Sequence, residues 1–128
     1  MKLNFDPESP VIVITSTLTG INGKKKKIDM ALDTGATYTM IPWDIAEVLG
    51  YKPGLSKKRV ELITASGVER SPLITLNSIS ILKKKAKGVK TIVHDLPQKS
   101  YVDGLLGLSY LRNFEVKLNF KNGILEID

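Results

Sequence analysis

The sequence predicts a mostly-β fold with one or two short helices, of the kind that small barrels and sandwiches adopt. Three observations carry that expectation. Apolar and polar residues alternate with period two through several segments, β-branched residues are concentrated in them, and Asn-Gly and other glycine turns punctuate the chain at short intervals. Together they imply about seven or eight short strands in one domain spanning residues 1–128, with no linker long enough to divide it.

The segment from Pro10 to Leu18 is rich in Val, Ile and Thr and reads as the first strand. Asn22-Gly23 follows, a hairpin signal because both central residues of a type I′ turn need positive φ. The next strand places Ile28, Met30 and Leu32 on one face and Asp29, Ala31 and Asp33 on the other. It runs into Asp33-Thr34-Gly35-Ala36-Thr37, where glycine permits a sharp turn. A short helix is expected from Asp44 to Leu49, with Pro42 near its start, Asp44 and Glu47 at its positive end and Gly50 closing it.

Strands resume at Val60–Thr64 and Val68–Pro72, around a turn at Ala65-Ser66-Gly67. Two more are expected at Leu73–Leu82 and Val89–Leu96, broken by lysines. Asp103-Gly104-Leu105-Leu106-Gly107 reads as a second glycine-punctuated loop, and Leu108-Ser109-Tyr110-Leu111 as one or two helical turns. Phe114, Val116, Leu118 and Phe120 alternate strictly, Asn122-Gly123 turns, and Ile124–Ile127 returns as the last strand.

Composition removes whole classes of chemistry. The 128 residues contain no cysteine, so disulfides, thiolate metal sites and thiol nucleophiles are out. A single histidine, His94, rules out a histidine-rich metal cluster. No apolar run approaches the ~20 residues that span a bilayer, and the N-terminus lacks the apolar stretch of a secretory signal. A soluble, cytoplasmic protein without membrane contact is therefore expected, with any catalysis left to carboxylates, hydroxyls or lysines.

The net charge is +6, with lysines clustered at 24–27, 57–58 and 83–85. Two of the clusters sit beside turn signals, and no aromatic residue is interleaved with them as a stacking platform would require. Solvated loops and lysine-protected edges explain them more simply, so nucleic acid is not expected as a partner.

Asp33-Thr34-Gly35 is the most informative triplet, a carboxylate on a tight turn at the end of a half-buried strand. By itself it is also an ordinary turn, since Asp starts turns, Thr bonds nearby backbone and Gly takes positive φ. Leu32-Asp33-Thr34-Gly35-Ala36-Thr37 nevertheless resembles the active-site signature of the aspartic proteases, in particular the single-domain retropepsin-like branch. Leu105-Leu106-Gly107 resembles that family's second signature, Val60–Ile74 its flap, and Leu108–Leu111 its short C-terminal helix. The similarity runs from about Val11 to Ile127 and implies a closed β-barrel acid-protease fold. Viral members carry an aspartate and an arginine where Thr37 and Leu108 stand here. The loss of both leaves no unpaired buried charge.

What the resemblance implies is an aspartic endopeptidase that needs no cofactor and hydrolyses peptide or protein substrates. Asp33, Thr34 and Gly35 would be catalytic. Gly35, Ala36, Thr37, Ser66, Gly67, Val68 and Leu105 would contact substrate. With only one Asp-Thr-Gly per chain, the second aspartate would come from an identical copy, giving a homodimer. Thr34 would bond across the two-fold axis, and the terminal strands near Leu3–Phe5 and Ile124–Ile127 would pair across it. The alternatives are a catalytically silent module of the same fold that binds peptide or dimerises, and a basic nucleic-acid-associated protein supported only by the lysines. His94 and Asp95, adjacent on a strand, face opposite ways and make a poor relay, so a structural role is expected for His94.

Overall fold

The computed structural model describes residues 1–128. Strands β2 (Val13–Thr19) and β3 (Lys25–Leu32) form the first hairpin, and its turn carries positive φ at Asn22 (56°) and Gly23 (75°), as that dipeptide demands. The strand begins at Val13, three residues later than expected. After the Asp33 loop comes the three-residue β4 (Thr39–Ile41), then helix α1 (Trp43–Val48). Gly50, at φ 91°, ends that helical segment.

Strands β5 (Arg59–Thr64) and β6 (Gly67–Ile81) form a long antiparallel arm with Ala65-Ser66 at its tip. The expected break at Pro72 does not occur, and β6 runs unbroken for 15 residues. Pro72 faces Arg59 next to the Leu73 N–H→Lys58 C=O bond of 2.9 Å, at a non-hydrogen-bonded position of the ladder. The missing N–H removes no bond from the ladder with β5.

Strand β7 (Lys84–Val93) returns after a two-residue turn in which Leu82 takes φ 51°. The third lysine run is therefore mostly strand, where a loop was expected. Gly104–Leu106, also expected as loop, is strand β8. It is followed by α2 (Leu108–Leu111), β9 (Val116–Asn119) and β10 (Ile124–Ile127), making ten strands against the seven or eight expected. Phe120 lies beyond β9 in an exposed turn and does not continue the inward face.

The larger sheet has the order β2-β3-β8-β4-β7-β6-β5 and closes on itself through a β2–β6 pairing. Inside that ring, Leu18, Met30, Ile41, Leu76, Ile79, Val93 and Leu106 are all fully buried. At roughly 1.5–3 kcal/mol each, burial of such side chains is the main force holding the ring shut. In the smaller sheet β1 (Lys2–Asn4) pairs with β10, and β10 with β9. Both chain ends thus pair within one chain, where Leu3–Phe5 and Ile124–Ile127 were expected to pair across two copies, and the outer edge of the N-terminal strand stays unpaired within the chain. Leu125 and Ile127 reach the same core as the ring, which gives these strands an internal reason to dock.

Candidate active site

The position of Asp33 follows from how β8 is inserted. β8 runs parallel to β3, pairing Met30 with Gly104 and Leu32 with Leu106, and touches β4 on its other edge. The ladder ends at Asp33, whose N–H donates to the Leu106 carbonyl at 3.0 Å. Its Oδ1 accepts the Gly35 N–H at 3.0 Å, and its carbonyl accepts the Ala36 N–H at 3.3 Å. This is an aspartate-led turn, with the carboxylate steadied by backbone. A Cβ on Gly35 would stand 3.3 Å from that Oδ1 and crowd it. Asp33 and Ala36 are half-buried, while Thr34, Gly35 and Thr37 are exposed, and no cation pairs with Asp33.

The loop is clamped from behind by the second signature. Leu108 N–H donates to the Ala36 carbonyl at 2.8 Å and Ser109 N–H to the Thr37 carbonyl at 3.0 Å. Two backbone bonds, Leu108 to Ala36 and Ser109 to Thr37, thus hold the segment around Thr37 against the segment around Leu108. Gly107 must be glycine, because a Cβ there would meet the Tyr38 carbonyl oxygen at 2.5 Å and that of Ala36 at 2.7 Å. Only a bare backbone allows this approach.

Sequence reasoning missed the hydroxyls underneath. Thr39 Oγ1 accepts the Gly107 N–H at 3.2 Å and the Ser109 hydroxyl at 3.0 Å, while Ser109 Oγ accepts the Thr39 N–H at 2.9 Å. Thr39 is fully buried. Nothing local marks these two residues, which lie 70 apart in the chain. Their only signal is that each follows a signature closely.

Asp33 also lines a cavity of about 350 Å³ with Leu32, Leu105, Val11, Phe5 and Phe120. Leu105 was singled out for such a pocket, whereas the two phenylalanines were not. A separate concavity of about 600 Å³ between α1 and residues 95–103 does not include Asp33. Ser66, Gly67 and Val68 lie at the end of the β5–β6 arm. There Val68 is 66% exposed and its partner Ile63 is 90% exposed, an unusual amount of apolar surface to offer water.

His94 Nδ1 lies 3.2 Å from Ser71 Oγ and 3.6 Å from Glu69 Oε2. One ring nitrogen faces both groups, which is not the arrangement of a nucleophilic triad. Asp95 accepts the Trp43 N–H at 3.0 Å.

Comparison with known proteins agrees with this geometry. Residues 18–113 match the family described as gag-polyprotein putative aspartyl protease. The crystal structure of a retropepsin-like aspartic protease from Rickettsia conorii is similar at 25% identity and a TM-score of 0.74, over 99% of this chain and 88% of that one. No curated protein matches the sequence. No helix of the chain is long and apolar enough to cross a membrane. With the Asp33 loop, the inserted β8 and the closed ring in place, the chain belongs to the retropepsin-like aspartic protease family.

Proposed function

We propose that the chain is a single-domain aspartic endopeptidase, active as a homodimer in which each protomer supplies one Asp33. The observation that carries this reading is a carboxylate on an exposed loop, steadied by the Gly35 N–H and free of any cation, in a chain with one Asp-Thr-Gly. A two-fold axis brings residue i to residue i, so two such loops form a dyad. Two carboxylates about 3 Å apart cannot both ionise, so the pair shares one proton. The ionised one draws a proton from water as the water attacks the peptide carbonyl carbon. The protonated one donates to the carbonyl oxygen, and the leaving amine then collects a proton as the C–N bond breaks.

In this arrangement Thr34 bonds the partner's loop and holds the two aspartates level. Gly35 offers its carbonyl to substrate backbone, Ala36 and Thr37 border the substrate, and Leu105 contributes to a side-chain pocket. Ser66, Gly67 and Val68 close over the peptide and exclude water. The test is hydrolysis of a peptide library by wild type and by Asp33→Asn, with circular dichroism as the fold control. Cleavage abolished in a folded variant is the expected result. A wild type that binds peptides without cutting them, as tightly as Asp33→Asn does, identifies a silent module instead.

A further inference from the structure

The first and third lysine runs lie far apart in sequence, and the expectation that nucleic acid plays no part rested on reading them as separate solvated segments. The sheet brings them together. Across four neighbouring strands, Lys27 faces Thr17, Thr17 faces Ser80, and Ser80 faces Lys85. The next row repeats the pattern as Lys25, Thr19, Ser78 and Lys87. Directly paired residues share a face, as do residues two apart on one strand, so these eight residues form one two-row block, in which Ser78 is itself buried, at 4% exposed. In the intervening row Leu18, Ile79 and Ala86 are at most 3% exposed and point into the core, which puts the block on the outside of the ring, while Lys26 opposite Leu18 is exposed near the hairpin end.

The block is about 14 Å across, three strand spacings, with rows about 7 Å apart. Its four lysines are exposed, and none forms an ion pair. The nearest acid in the pattern, Asp29, is one row further and already accepts the Thr15 hydroxyl at 2.8 Å. Folding therefore gathers four like charges without a counter-charge, around hydroxyls that can donate to anionic oxygens. The block holds no aromatic and no large exposed apolar side chain, so it offers neither base stacking nor insertion into lipid.

We infer that this face docks the phosphate backbone of nucleic acid, without sequence preference. Lysines neutralise phosphates, and hydroxyls of Thr17, Thr19 and Ser80 donate to their oxygens. Lys27 precedes Asp33 by six positions on an extended strand, roughly 20 Å, so docking leaves the Asp33 loop open.

The test is fluorescence anisotropy of a labelled mixed-sequence DNA duplex with the full chain across a KCl series. Four phosphate contacts predict a log–log slope of about −3.6, or about 150-fold weaker binding at 200 mM than at 50 mM salt. The variant K25Q/K27Q/K85Q/K87Q, checked for fold by circular dichroism, should bind at least tenfold more weakly at about 100 mM KCl and lose most of that slope. Each single substitution should flatten the slope by about one. The equally neutralised control K52Q/K57Q/K58Q/K99Q should bind like wild type, and peptide cleavage by both variants should be unchanged. The inference is overturned by no duplex binding at 50 mM KCl or by equal losses in the control. Polyglutamate bound as tightly as duplex at equal charge overturns it too, as does preference for phosphatidylserine vesicles.

Discussion

Thr39→Val removes one oxygen from beneath the Asp33 loop and leaves the shape of the side chain almost unchanged. That oxygen accepts the buried Gly107 N–H at 3.2 Å and the Ser109 hydroxyl at 3.0 Å. Valine strands the Gly107 N–H, at about 1–3 kcal/mol, and forfeits a neutral hydrogen bond worth about 0.5–1.5 kcal/mol. The variant should therefore be destabilised by about 2–4 kcal/mol, a large share of the 5–15 kcal/mol typical of a domain. At roughly 3–5 °C per kcal/mol for a chain of this size, Tm drops by about 10 °C. The assay is urea unfolding followed by circular dichroism, at fixed protein concentration because any dimer adds stability by mass action. Ser109→Ala should cost a similar amount, since it leaves the buried Thr39 N–H without its acceptor. The double variant should lose less than the sum, with a coupling of about 0.5–3 kcal/mol. Thr39→Val within about 0.5 kcal/mol of wild type, with strictly additive losses in the double variant, would refute the reasoning.

Gly107→Ala forces its Cβ against the Tyr38 and Ala36 carbonyls, so both stability and cleavage should collapse, as urea midpoint and peptide turnover will report. Gly67→Val meets no neighbour but must adopt φ 116°. The strain is confined to a free arm, so cleavage should slow while the urea midpoint barely moves. Burial pushes the Tyr110 hydroxyl up from 10.0 to about 12. Its neutral form is favoured in the folded chain, so that stability is present below pH 10 and lost as pH rises towards 12. Unfolding curves should show a decline across that window that is smaller in Tyr110→Phe, where Tyr51, also pushed up by burial, still contributes. Deleting Ile124–Asp128 should unfold the chain outright, because Leu125 and Ile127 are core residues; a folded truncated chain on circular dichroism would show β10 to be dispensable.

Local chemistry was legible in the sequence where one residue or one period decides it. Asn22-Gly23, Pro42 with Gly50, and the alternation through Ile28, Met30 and Leu32 each produce the expected turn, helix or strand. What alternation does not encode is the partner. Nothing local in Gly104–Leu106 reveals that it slots in parallel between β3 and β4, and two leucines between glycines read as loop. Pro72 suggested a break because its ladder position depends on the register with Arg59. Leu82 gave no hint of positive φ, since that conformation is imposed by closing Ile81 onto Lys84. At the site, Asp33 and Gly107 carried recognisable patterns. Thr39, Ser109 and Phe120 acquire their places only through contacts far apart in sequence.

The central claim is that each active site takes one Asp33 from each of two chains. It is tested most directly by mixing wild type with Asp33→Asn at constant total protein, allowing full subunit exchange, and measuring peptide cleavage. If the dyad spans the dimer, activity follows the square of the wild-type fraction, so equal mixing leaves about one quarter. A linear decline, with half the activity left at equal mixing, would mean that one chain suffices and would contradict the account.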